Sequence, residues 1–204
     1  MNLEEYREYY KKRLGEAYSK FYDDEMMKKS YQDYKEAINN AEYLEVNTSK
    51  HVEKLINRME VDLPNENEVA LFVMPSFEDM FYLKIDKEKI VKTSVDRNIP
   101  FKHKPIKTQI LKERGKNIEA KEVDYLVDSI TNAVKEAKVS KRGGAGLDGT
   151  DYFFIAKIEN EVRICKKWSP YKKSKIGMLL SEIQKHIDFV FYDFGDDETT
   201  IRLA

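Results

Sequence analysis

Val69-Ala70-Leu71-Phe72-Val73-Met74, bounded by Asn67 and Pro75, is the stretch whose reading decides the fold. Six consecutive apolar residues, three of them β-branched or aromatic, are too few for a buried helix of ordinary length. Flanked by chain breakers, they suit a buried strand. The hydrophobic period differs on the two sides of this run.

Upstream the spacing is helical. Leu3, Tyr6, Tyr10, Leu14, Ala17 and Phe21 advance by three or four and form one stripe, with no proline and only Gly15 across residues 2–45. Asp23-Asp24 breaks the run, and Met27, Tyr31, Tyr34 and Ile38 continue it on a second helix. Asn47-Thr48-Ser49 offers capping oxygens ahead of Val52, Leu55, Ile56 and Met59. Pro64 stops the last run. The pattern predicts an antiparallel helical N-terminal unit over 1–63.

Downstream the elements are strands. Met80–Ile85 and Ile90–Val95 flank the polar turn Asp86–Lys89, and a further strand is expected at Ile106–Leu111. Val123, Leu126, Val127, Ile130, Val134 and Ala137 mark a helix. Tyr152–Ile158 and Val162–Trp168 form a hairpin about Glu159-Asn160-Glu161. Ile176–Ile187 is a closing helix, with a strand expected at 189–192. This order predicts an α+β fold, with an α+β domain over 64–204 built on a mainly antiparallel sheet with two packed helices.

The composition excludes several classes. A chain of 204 residues can bury enough surface to need no disulfide or metal staple. No apolar run approaches the roughly 18 residues of a membrane span, so no membrane partner is expected, and the charged start is no secretory signal. Cys165 stands alone, which suits a reducing, cytoplasmic setting. Net charge is −1, but it is segregated. Residues 84–116 hold 11 basic and 4 acidic side chains, and 135–175 hold 11 and 5. Such blocks attract phosphates or an acidic protein surface if they share a face; if they alternate with apolar residues they only solvate strands and protect edges.

Short catalytic patterns fail on context. Gly144-Ala145-Gly146-Leu147-Asp148-Gly149 spells a phosphate-binding glycine pattern, yet a helix precedes it and a strand follows, the reverse of the dinucleotide arrangement. Ala156-Lys157 and Asp193-Phe194-Gly195 imitate kinase motifs with no catalytic loop between them. His51, His103 and His186 lack ligand spacing, and Cys165 beside Ile164 reads as a core residue. No metal or cofactor is expected. A metal-dependent nuclease would draw on Asp151 before the hairpin and on Glu161 and Arg163 after its turn. A nucleic-acid binder would use the basic segments 84–116 and 141–175, with aromatic residues stacking on bases.

Asp148, Gly149, Tyr152, Trp168, Ser169, Pro170 and Ser174 carry a likeness over about 106–187. The region resembles small uncharacterised bacterial α+β domains in which D-G-x-x-Y opens a hairpin and W-S-P leads into a closing helix. The resemblance implies a fold and brings no activity with it.

Together these features lead to the expectation of a non-catalytic protein that binds another protein, of the immunity or inhibitor type found in bacteria and phages. Tyrosine, tryptophan and arginine dominate interface hot spots. The candidate binding residues are Tyr6, Tyr9 and Tyr10 on the first helix, then Arg142, Asp148, Lys166, Lys167, Trp168, Tyr171, Lys172 and Lys173. The helical tyrosines serve equally as core or as the seam of a homodimer.

Overall fold

Along the run 69–74, Val69, Leu71 and Val73 are buried on one face of a sheet and Ala70 and Phe72 on the other. Both faces are covered, so the strand shows an unbroken apolar sequence rather than an alternating one. The computed structural model describes residues 2–15, 23–47, 50–58, 61–76, 79–95, 110–139, 149–170 and 172–187.

Two compact units divide the chain, Met1–Glu42 and Tyr43–Ala204. The first holds α1 (Leu3–Leu14) and α2 (Asp24–Ala41). Asn2 and Glu5 form a reciprocal capping box at the start of α1, at 2.8 and 2.9 Å. Gly15 ends it with φ at 54°, a conformation glycine adopts without a Cβ clash. Tyr6, Tyr10 and Met27 form the interior of this unit, and the Tyr6 ring lies 4.7 Å from Tyr10 and 5.4 Å from Tyr31. Arg7 reaches Asp24 at 2.7 Å across the two helices.

The second unit contains β1 (Glu45–Val46), α3 (Lys50–Arg58), β2 (Val69–Pro75), β3 (Met80–Ile85), β4 (Lys89–Val95), β5 (Ile110–Asn117), α4 (Ala120–Lys135), β6 (Thr150–Ile158), β7 (Glu161–Trp168) and α5 (Lys175–His186). All seven strands join one antiparallel sheet in the order β1-β7-β6-β2-β3-β4-β5. The fold is α+β, with helices at the N-terminus followed by the sheet and its packed helices.

On one face α4 and α5 bury Leu126, Ile130, Leu180 and Ile183 against Leu71, Leu83 and Phe154. On the other, Val52, Leu55 and Ile56 of α3 meet Ala70, Phe72, Tyr82, Phe153 and Ile155. Phe72 and Phe153, opposite each other in the β2–β6 register, stack at 6.0 Å. Spacing alone groups α3 with the preceding helices and draws the first unit to residue 63. In the structure α3 lies with the sheet instead, because its apolar stripe is what covers the second face.

The β6–β7 turn falls at Glu159 and Asn160, with φ of 52° and 68°. Positive φ at both central residues matches the twist of an antiparallel hairpin. β5 runs on to Asn117, past the apolar residues that mark it in the sequence, because pairing with β4 holds its polar half in the sheet. The rest of that expected strand, 106–109, and the expected strand 189–192 lie outside the described residues.

Candidate functional site

β7 ends at a corner built around Gly149. A Cβ on Gly149 would lie 2.7 and 2.8 Å from Nε1 and Cε2 of Trp168 and 2.5 Å from Ser169 Oγ. No side chain fits there, so the indole sits directly on the glycine backbone. Ser76 fastens this backbone from the neighbouring β2. Its Oγ donates to Gly149 O at 2.8 Å and accepts from Gly149 N at 3.1 Å, and its own N–H reaches the same carbonyl at 2.9 Å. Ser169 completes the corner with φ at 33°, accepting from Thr150 N at 2.9 Å and donating its own N–H to Thr150 O at 2.8 Å. After Pro170, Ser174 caps α5 by accepting from Gly177 N at 3.1 Å.

Trp168 is 39% exposed on this braced base. Alternation along β7 puts Ile164, Lys166 and Trp168 on the α3 side of the sheet. Cross-strand pairing sets Asp151 opposite Trp168 and Glu45 opposite Lys166. Burial pushes the Asp151 carboxyl above its ordinary range; Lys166 draws it back, and Glu45 adds to the rise. The surface here is therefore an indole and a lysine bordered by two carboxylates. Lys172 and Lys173 are exposed in the turn that follows.

The other candidate residues are placed differently. Lys167 points to the α4–α5 face and is buried; its Nζ donates to Tyr43 O at 3.1 Å. It anchors β1 rather than offering a surface cation. Lys138 Nζ lies 3.4 Å from the centroid of the same Tyr43 ring. Tyr6 and Tyr10 are buried as the core of the helical unit, and Tyr9 is half-buried with its ring 5.3 Å from Tyr10. The two buried rings are withdrawn from any binding surface by packing against α2. Arg142, Asp148 and Tyr171 lie outside the described residues.

Asp151 and Glu161 stand at opposite ends of the β6–β7 hairpin, since Asp151 pairs with Trp168 while Glu161 pairs with Ile158. Seven strand steps separate those ends by about 23 Å, so the two carboxylates share no metal site. Among the described residues no group of three His, Cys, Asp or Glu side chains is placed to hold a metal ion. Cys165 is buried beneath α4, and burial raises its thiol to about 11.

The two basic blocks also part. β4 and β5 lie at one side of the sheet and β7 at the other, four strand positions from β4, or about 19 Å. Within the first block Lys84 pairs with Glu68 at 3.1 Å and Lys92 covers the Phe81 ring at 4.6 Å. The described parts of the two basic blocks therefore stand on separate strands of the sheet.

Glu45, Ser76 and Lys138 escape a reading of the sequence, because each acts through a partner distant along the chain. Comparison with family models, with curated proteins and with solved structures returned no match.

Proposed function

We propose that the chain is a non-catalytic module that binds another protein through the Trp168 corner, of the immunity or inhibitor type. The observation that carries this reading is an aromatic side chain left 39% exposed on a base held by Gly149, Ser76 and Ser169. A large ring in a fixed position loses little freedom on association, which is what a hot-spot anchor needs. The separation of Asp151 from Glu161 and the scattering of the described lysines favour this reading over nuclease chemistry and over nucleic-acid binding.

The test is affinity capture of partners from the host with the tagged full chain and its Trp168→Ala variant, both checked for native circular dichroism. A partner protein held by the wild-type chain and weakened about 30-fold in the variant is expected, from a hot-spot loss near 2 kcal/mol. Equal capture by both chains, or recovery of the chain's own copies alone, overturns it.

A further inference from the structure

Strand pairing sets three residues in one row at this corner: Met74 of β2 opposite Asp151 of β6, and Asp151 opposite Trp168 of β7. Directly paired residues project from the same face of a sheet, with Cβ atoms about 5 Å apart. Met74 packs on the α3 side, so on that face the carboxylate stands between a thioether and an indole. Met74 and Asp151 are half-buried and Trp168 is 39% exposed, so the row opens to solvent at its indole end. Among the described residues no hydrogen bond or ion pair reaches the Asp151 carboxylate; Lys166 acts on it through charge alone. Lys166 faces Glu45 in the next row, so two carboxylates stand against one ammonium beside the ring. Burial between apolar neighbours raises the Asp151 carboxyl, and its charge is carried at a cost that a bound cation would offset.

We infer that the partner protein is anchored by an arginine side chain, its guanidinium laid against the Trp168 ring and its N–H fork on the Asp151 carboxylate. This rests on the protein-binding reading above and names the chemistry of the anchor. A cation over an indole face is held by the ring quadrupole, and a carboxylate beside it adds charge-assisted hydrogen bonds. Guanidinium answers both at once, because it is planar, weakly hydrated and presents its donors in a fixed fork. An ammonium is a compact, strongly hydrated charge that cannot stack and fork together. Asp151 and Glu45 weigh against a nucleic acid stacked on the same ring, whose phosphates would pass both carboxylates at a cost in repulsion.

Trp168 is the chain's only tryptophan, so its emission reports this corner directly. The full-length protein is titrated with a twelve-residue peptide of alternating Arg and Ser, with a matched Lys and Ser peptide, and with a twelve-nucleotide oligothymidylate. A saturable change in emission with the Arg peptide is expected, with weaker binding of the Lys peptide. Affinity should fall about tenfold in Asp151→Asn, the loss of one charged hydrogen-bonded contact. Asp128→Asn, at an exposed carboxylate of α4 on the other side of the sheet, removes the same charge elsewhere and should leave affinity unchanged. Both variants are checked for native circular dichroism. No saturable change with the Arg peptide, equal affinity for the Lys peptide, or tighter binding of the oligothymidylate overturns the inference. So does a loss in Asp151→Asn no greater than in Asp128→Asn. The outcomes separate from those of the preceding section. A host partner lost by Trp168→Ala but kept by Asp151→Asn leaves protein binding standing and removes the arginine anchor alone.

Discussion

The indole of Trp168 occupies the space that a side chain on Gly149 would need, its Nε1 standing 2.7 Å from the position of a Cβ there. The aromatic ring and the glycine are therefore one unit: removing either leaves the other without its reason for being placed. Because Ser76 bonds to the same glycine backbone, the corner is fixed to the central strand β2 as well as to the hairpin.

Gly149→Ala forces the indole or Ser169 to move. A destabilisation of about 1–3 kcal/mol is expected, the usual range for overfilling a close-packed site. Urea unfolding followed by the emission of Trp168 measures it, and the native emission maximum should move as the ring leaves its seat. An unchanged midpoint and maximum would show that the corner yields freely.

Ser174→Ala removes the side-chain acceptor for Gly177 N at the start of α5. The expected loss is about 0.5–2 kcal/mol, as for other capping residues. Trp168 emission should stay native before unfolding, since α5 packs its apolar face on the opposite side of the sheet. A loss of α5 helicity without any fall in the unfolding midpoint would contradict this.

Asp151 gives a pH dependence whose sign follows from its raised pKa. A carboxyl that holds its proton more tightly in the folded chain than in the unfolded one opposes folding when it ionises. Its contribution is complete below the ordinary value of 3.8 and is lost as pH rises through the higher folded value. Asp151→Asn cannot ionise, so its stability relative to wild type should grow from pH 3.5 to pH 7. Denaturant midpoints of the two proteins across that interval decide the matter; a difference that stays flat or shrinks with pH refutes the assignment.

Cys165 should behave as a probe of unfolding. Its thiol is 2% exposed and raised to about 11, so at pH 8 only roughly one thiol in a thousand is ionised. Labelling by a thiol reagent should be slow in the native protein and rise in step with denaturant unfolding. Rapid stoichiometric labelling of the native chain would mean that the cover of α4 over β7 opens locally.

The secondary structure was largely legible because it is written at short range. Val123, Leu126, Val127, Ile130 and Val134 are spaced for one buried helical face and occupy one. The apolar run 69–74 announced a buried strand, and the positive-φ pair Glu159-Asn160 lay inside the anticipated turn. What covers each side was not legible. Nothing in Val52, Leu55 and Ile56 says whether they meet another helix or a sheet. β1 is two residues long with no periodic signal, and exists because Glu45 and Val46 meet Lys166 and Cys165 from the far end of the chain. The same limit applies to the binding corner. Trp168 and Lys166 are visible as residue types, but the inward turn of Lys167 and the burial of Tyr6 and Tyr10 depend on tertiary partners. A tyrosine on an amphipathic stripe suits a core and an interface equally well, and α2 decided between them.

The sheet is assembled from a continuous meander, β2 through β5, and a later hairpin, β6 and β7, joined by the single pairing of β2 with β6. During synthesis the meander is finished some thirty residues before β6 begins. In the meander alone the most apolar strand presents an open hydrogen-bonding edge, the arrangement most prone to pairing with another chain. Thr150–Ile158 thus close the edge of β2 that the meander alone leaves unpaired.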